Sequence, residues 1–87
     1  MQNLVGFILI KDEKSAIFLE GKHTPDKEDQ LSQDRLIKKY KSHVVILGLS
    51  QIENKEDLVT GKKMKVWFNT LKESDPPKTT IKKFKRL

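Results

Sequence analysis

Leu58-Val59-Thr60-Gly61-Lys62-Lys63-Met64-Lys65-Val66-Trp67-Phe68 reads as a turn that feeds a β-strand, and it carries the only tryptophan of the chain. Met64, Val66 and Phe68 share one parity; Lys63, Lys65, Trp67 and Asn69 share the other. Successive strand side chains point to opposite faces, so the first set faces a core and the second an outer surface. Thr60-Gly61-Lys62 supplies the turn, because glycine accepts a positive φ without a Cβ clash.

Working outward, further strands flank this one. Leu4 to Lys11 reads as a first strand with Leu4, Ile8 and Ile10 on one face and Val5, Phe7 and Leu9 on the other. Gly6 interrupts it and predicts a bulge or tight bend in a curled sheet. Asp12-Glu13-Lys14 is a polar turn, and Ser15 to Gly21 is the second strand of a hairpin. His43 to Leu49 is the most apolar strand. Its consecutive Val44, Val45, Ile46 and Leu47 predict cover on both faces. Thr79 to Phe84 is the last strand, after a loop punctuated by Ser74-Asp75-Pro76-Pro77. Ile81 and Phe84 have opposite parity, so burying both requires a bulge or a two-sided strand.

Between the second and third strands, Thr24-Pro25-Asp26 reads as a helix start. Thr24 caps, Pro25 fits the first helical position, and Asp26, Glu28 and Asp29 suit the positive end of the dipole. The helix is expected to run to Tyr40, with Lys38, Lys39 and Lys41 at its end. Its apolar positions are Leu31, Leu36, Ile37 and Tyr40. Its second half should therefore dock on the sheet, with the first turns loosely attached. Ser50 to Leu58 holds a short helix or a turn. The element order is β-β-α-β-β-β. The fold class is α+β and β-rich: a small five-stranded, OB-like curled sheet or barrel with one inserted helix. An open sheet crossed by one helix is the competing architecture.

The 87 residues suffice for a single domain with one modest core. Charged residues make up 34% and hydrophobic ones 36%, a balance that fits a charged surface rather than a membrane span. No apolar run approaches the roughly 18 residues of a spanning helix. With no cysteine, disulfides and thiolate metal sites are excluded. Residues 1–60 carry nine basic and ten acidic side chains, a net −1; residues 61–87 carry nine and two, a net +7. The whole excess of +6 thus lies in the last third, which points to a polyanionic partner unless it is only a solvated lysine-rich face.

The candidate polyanion-binding residues are Lys63, Lys65, Trp67, Lys82, Lys83, Lys85 and Arg86. An aromatic among lysines suits nucleic acid, where rings stack on bases and cations follow phosphates. The alternative is a Trp67 partly covered by the Pro25–Tyr40 helix, with lysine stems over the rim. Glu20, His23 and Asp26 have metal-ligating side chains, but Gly21 and Pro25 place them in a loop where spacing guarantees nothing. His43 is read as a surface histidine. There is no nucleophile elbow, P-loop or dinucleotide fingerprint. The expectation is therefore a non-catalytic protein with no cofactor and no metal.

Four stretches also carry a resemblance. Val5-Gly6-Phe7-Ile8, Leu58-Val59-Thr60-Gly61-Lys62-Lys63-Met64-Lys65-Val66-Trp67, Ser74-Asp75-Pro76 and Lys82-Lys83-Phe84 resemble the YobA-like family, a small domain of unknown function found in Bacillus-type lipoproteins and secreted proteins. That family usually has an aromatic between the Ser and the Pro, where Asp75 stands here. The resemblance implies an OB-like barrel and a cell-envelope location, and it brings no catalytic residues. The expected function is binding at the envelope, by a monomer held at the membrane through a segment outside this chain. Expected partners are anionic lipid, a cell-wall polymer or an envelope protein. The runner-up is a nucleic-acid-binding OB-type module, which would be cytoplasmic.

Overall fold

In the computed structural model, which describes residues 1–21, 33–40, 43–74 and 76–87, the Thr60-Gly61 turn is the clamp that starts the barrel. Gly61 has φ 85°, and the Lys62 amide donates to the Val59 carbonyl at 3.2 Å. The turn is tied to the first strand, β1 (Gln2–Ile10). The Gly61 amide donates to the Ile8 carbonyl at 2.7 Å, and the Ile10 amide donates to Thr60 Oγ1 at 3.1 Å. The strand that follows, β4 (Lys63–Phe68), therefore leaves the turn already in register with β1, Gly6 opposite Met64 and Leu4 opposite Val66.

The other strands are β2 (Ser15–Glu20), β3 (Val44–Gly48) and β5 (Lys78–Arg86). They close in the order β1-β2-β3-β5-β4, so β1 pairs with both β2 and β4. All pairs are antiparallel except β3 with β5. Closure disposes of the competing open sheet. Only a closed ring lets Leu4, Ile8, Phe18, Val45, Leu47, Met64, Val66, Ile81 and Phe84 share one interior.

Gly6 explains how β1 can lie so close to β2. A Cβ there would lie 2.0 Å from the Leu19 carbonyl oxygen and 2.9 Å from the Glu20 Cα. The β1–β4 register runs unbroken through Gly6 and the β1–β2 register reaches it without a shift, so the glycine serves a close strand approach and not a bulge. A bulge does occur in β5. Val66 faces Phe84 and Trp67 faces Lys83, but Phe68 faces Ile81, which leaves Lys82 as the extra residue. That residue is what lets Ile81 and Phe84 both turn inward.

The helix α1 (Gln33–Tyr40) packs outside the barrel. Leu36 is buried against Leu9, Ile17, Leu19 and Val44, joined by Ile37, Tyr40 and Ile46. This second cluster is why β2 and β3 are apolar on both faces. Asp34 lies in the first turn and Lys38 and Lys39 in the last, an order that suits the helix dipole. The expected start at Thr24-Pro25-Asp26, Leu31, and the Lys41 end lie outside the described residues, as do His23 and Asp75. Between β3 and β4 the chain makes one 3-10 turn, Lys55–Asp57. The β1–β2 hairpin is held by Asp12, whose Oδ1 accepts from the Lys14 and Ser15 amides at 2.8 Å each and from Ser15 Oγ at 3.2 Å.

A basic face around Trp67

Strand alternation puts Lys63, Lys65 and Trp67 on the outside of β4. The β4–β5 register then decides which C-terminal cations join them. Lys85 lies directly opposite Lys65, and Lys83 directly opposite Trp67. On the other flank, Phe7, Val5 and Asn3 of β1 lie opposite Lys63, Lys65 and Trp67. The result is one outer face with four lysines around an indole, and no acidic side chain among the residues that the three strands turn outward there.

Two of the seven expected residues leave this face. The bulge turns Lys82 aside, and its ammonium donates to Gln51 Oε1. Arg86 lies opposite Met64 and shares the parity of Phe84, so it stands exposed at the barrel end and not beside Trp67. Conversely, Asn3, Val5 and Phe7 border the face without having been singled out from the sequence. Their alternation was readable, but the strand they pair with was not.

Trp67 is half-buried. The helix Gln33–Tyr40 packs over β2 and β3, so among the described residues no helix covers the indole. Its cover is cationic: Lys65 Nζ lies 5.3 Å from the ring centroid and Lys83 Nζ 4.7 Å. Cation–π contacts of this kind contribute about 0.5–1 kcal/mol at exposed sites. Against that, Lys65 and Lys85 stand directly opposite each other, and like charges so placed are destabilising by up to roughly 1 kcal/mol. No carboxylate pairs with Lys63, Lys65, Lys83 or Lys85 among the described residues. Among the described residues the local charge is therefore uncompensated.

Among the described residues no group of three or more His, Asp or Glu side chains is placed to hold a metal. Of the Glu20, His23 and Asp26 set, only Glu20 is described, exposed at the end of β2. His43 is exposed just ahead of β3. No described helix is long and apolar enough to cross a membrane.

Fold and face together define a small five-stranded β-barrel domain with one packed helix and a lysine-rich outer surface. The chain belongs to the family described as "Protein of unknown function (DUF3221)", matched over residues 5–85. It is 49% identical over 88 residues to the uncharacterised protein YobA of Bacillus subtilis (strain 168), covering 100% of this chain and 73% of that protein. The crystal structure of B. subtilis YobA superposes with a TM-score of 0.92 at 48% identity, over 100% of this chain and 95% of that one. The solution structure of B. subtilis YobA 21-120 gives a TM-score of 0.90 at 48% identity, over 100% and 82%. The expected kinship with the YobA-like family is thus established.

Proposed function

We propose that this protein is a non-catalytic binding module of the bacterial cell envelope, and that the face made by Lys63, Lys65, Trp67, Lys83 and Lys85 engages a phosphate-rich anionic surface. The observation that carries the proposal is the direct opposition of Lys65 and Lys85, with no carboxylate paired to either among the described residues. A folded domain tolerates such repulsion most easily where a polyanion relieves it. The barrel itself we take as OB-type. The strand order β1-β2-β3-β5-β4 and the parallel β3–β5 contact support that assignment. The envelope setting is supported by the family resemblance.

Nucleic acid is the second reading, favoured by the half-exposed Trp67. A base stacking on the indole would have to displace Lys65 and Lys83, costing about 0.5–1 kcal/mol each against roughly 1–3 kcal/mol gained by stacking. With one indole on the face, that margin is too small to anchor a strand. Phosphate contact without stacking leaves both cation–π pairs in place.

Phosphatidylglycerol vesicles test the reading by co-sedimentation at about 0.15 M salt, beside a mixed-sequence single-stranded oligonucleotide. Each lysine at an anionic surface contributes about 1 kcal/mol. Lys63→Glu with Lys65→Glu should therefore weaken vesicle binding by about thirtyfold or more. Unchanged binding of the double variant removes the basic-face reading, and tight oligonucleotide binding without vesicle binding promotes the second one.

A further inference from the structure

A second pair of directly opposed cations, Lys72 and Lys78, stands at the seam where β3 meets β5, away from Trp67. The parallel pairing there is three residues long: Ile46 opposite Lys78, Leu47 opposite Thr79, Gly48 opposite Thr80. Beside it a cleft of about 420 Å³ opens, lined among others by Ile46, Gly48, Thr70, Lys72, Lys78 and Thr80. That volume lies within the roughly 300–1,000 Å³ of small-molecule sites.

The walls are held in place by backbone bonds. Lys72 and Lys78 exchange both ladder hydrogen bonds, at 2.7 and 3.0 Å, and the Ile46 amide donates to the Pro77 carbonyl at 2.8 Å. Thr79, the buried polar side chain of the core, donates its hydroxyl to the Thr70 carbonyl at 2.7 Å. The described residues that wall the cleft are thus fastened at Thr70, Lys72 and Lys78, so they lose little ordering entropy when a ligand binds. Gly48 keeps the cleft open: a Cβ there would already meet Thr80 Oγ1 at 3.0 Å. The lining is mainly apolar, yet Lys72 and Lys78 face each other directly and neither pairs with a carboxylate among the described residues. Lysines so opposed repel, and an anionic group between them removes the repulsion.

We propose that this cleft is a site for a small organic anion, its apolar or aromatic body against Ile46 and Gly48 and one phosphate or carboxylate head between Lys72 and Lys78. The site goes beyond the Trp67 face and uses none of its residues.

Phenyl phosphate and benzoate are the probes, with inorganic phosphate and benzyl alcohol as the head-only and body-only arms. Each is titrated into the whole chain at about 0.15 M salt and followed by amide NMR. The expected result is a saturable shift of the Gly48, Lys78, Thr79 and Thr80 amides with phenyl phosphate or benzoate, with an affinity in roughly the millimolar range. The two arms should bind at least about fivefold more weakly. Lys72→Gln with Lys78→Gln, both exposed, should keep the dispersed spectrum and lower affinity about tenfold. Lys63→Glu with Lys65→Glu should leave this binding unchanged, which separates it from failure of the polyanion reading. Shifts that do not saturate, that fall on Lys63–Asn69, that survive the Lys72/Lys78 change, or that benzyl alcohol reproduces in full would overturn the site.

Discussion

Gly6→Ala should cost far more than a methyl group's worth of packing. Gly6 sits mid-strand, paired on one side with Glu20 and on the other with Met64. Its new Cβ would stand 2.0 Å from the Leu19 carbonyl oxygen, 2.8 Å from the Leu19 carbonyl carbon and 2.9 Å from the Glu20 Cα. All three are backbone atoms of β2, so no side-chain rotation relieves them. Restoring ordinary contact moves β1 and β2 apart by more than 1 Å, roughly, at this point of their pairing. Overpacking that a core can absorb costs about 1–3 kcal/mol, and this site exceeds that case because backbone must yield. We expect a loss of about 3 kcal/mol or more, or a drop in Tm of about 12 °C or more for a domain of this size. Gly61→Ala is the contrast: nothing lies within 4 Å of its Cβ, and the cost comes from φ 85° alone, about 1–2 kcal/mol. Urea unfolding followed by far-UV circular dichroism measures both. If Gly6→Ala costs less than Gly61→Ala, the tight β1–β2 approach is wrong.

Other perturbations have expected outcomes. Lys85→Glu replaces a like-charged pair opposite Lys65 with an opposite-charged one. It should raise stability by about 0.5–1 kcal/mol while weakening polyanion binding, so urea midpoint and vesicle binding should move in opposite senses. The Lys14 and Ser15 amides hold the Asp12 carboxyl below its ordinary value near 3.8. A depressed carboxylate contributes stability above its unfolded pKa, and that contribution is lost as pH falls through the folded pKa. Asp12→Asn should therefore flatten the decline of stability below about pH 4 relative to the unaltered chain, measured by thermal melts across pH 2–7. Phe18→Ala, which empties a fully buried position of the barrel interior, should cost about 3–5 kcal/mol by the same urea assay.

Local alternation made most of the fold legible. The parity of Met64, Val66 and Phe68 gave the inward face of β4, and the clash of parity between Ile81 and Phe84 called for a bulge or a two-sided strand, of which the structure has the bulge, at Lys82. The two-sided apolar pattern of Val44 to Leu47 foretold a strand covered on both faces, and the structure supplies the barrel interior on one and α1 on the other. Closure was expected only as one of two forms, a curled sheet or a barrel, with an open sheet as the competitor. It depends on β3 lying parallel to β5, a long-range pairing that leaves no period in either segment. The site followed the same division. Lys63, Lys65 and Trp67 alternate visibly, whereas the choice among the C-terminal cations hangs on one extra residue. The bulge sends Lys82 to Gln51 and aims Lys83 at the indole. Charge asymmetry along the chain located the patch, and cross-strand register decided its members.

Trp67 is the only tryptophan in the chain, so its fluorescence reports on the basic face alone. The most direct measurement is its emission during titration with phosphatidylglycerol vesicles, and with phosphatidylcholine vesicles as control, at about 0.15 M salt. The expected result is a saturable change with the anionic vesicles that fades as salt rises and is absent with the zwitterionic ones. An emission that stays constant while the protein co-sediments with anionic vesicles, or that responds equally to both lipids, would contradict a binding face built on Lys63, Lys65, Lys83 and Lys85.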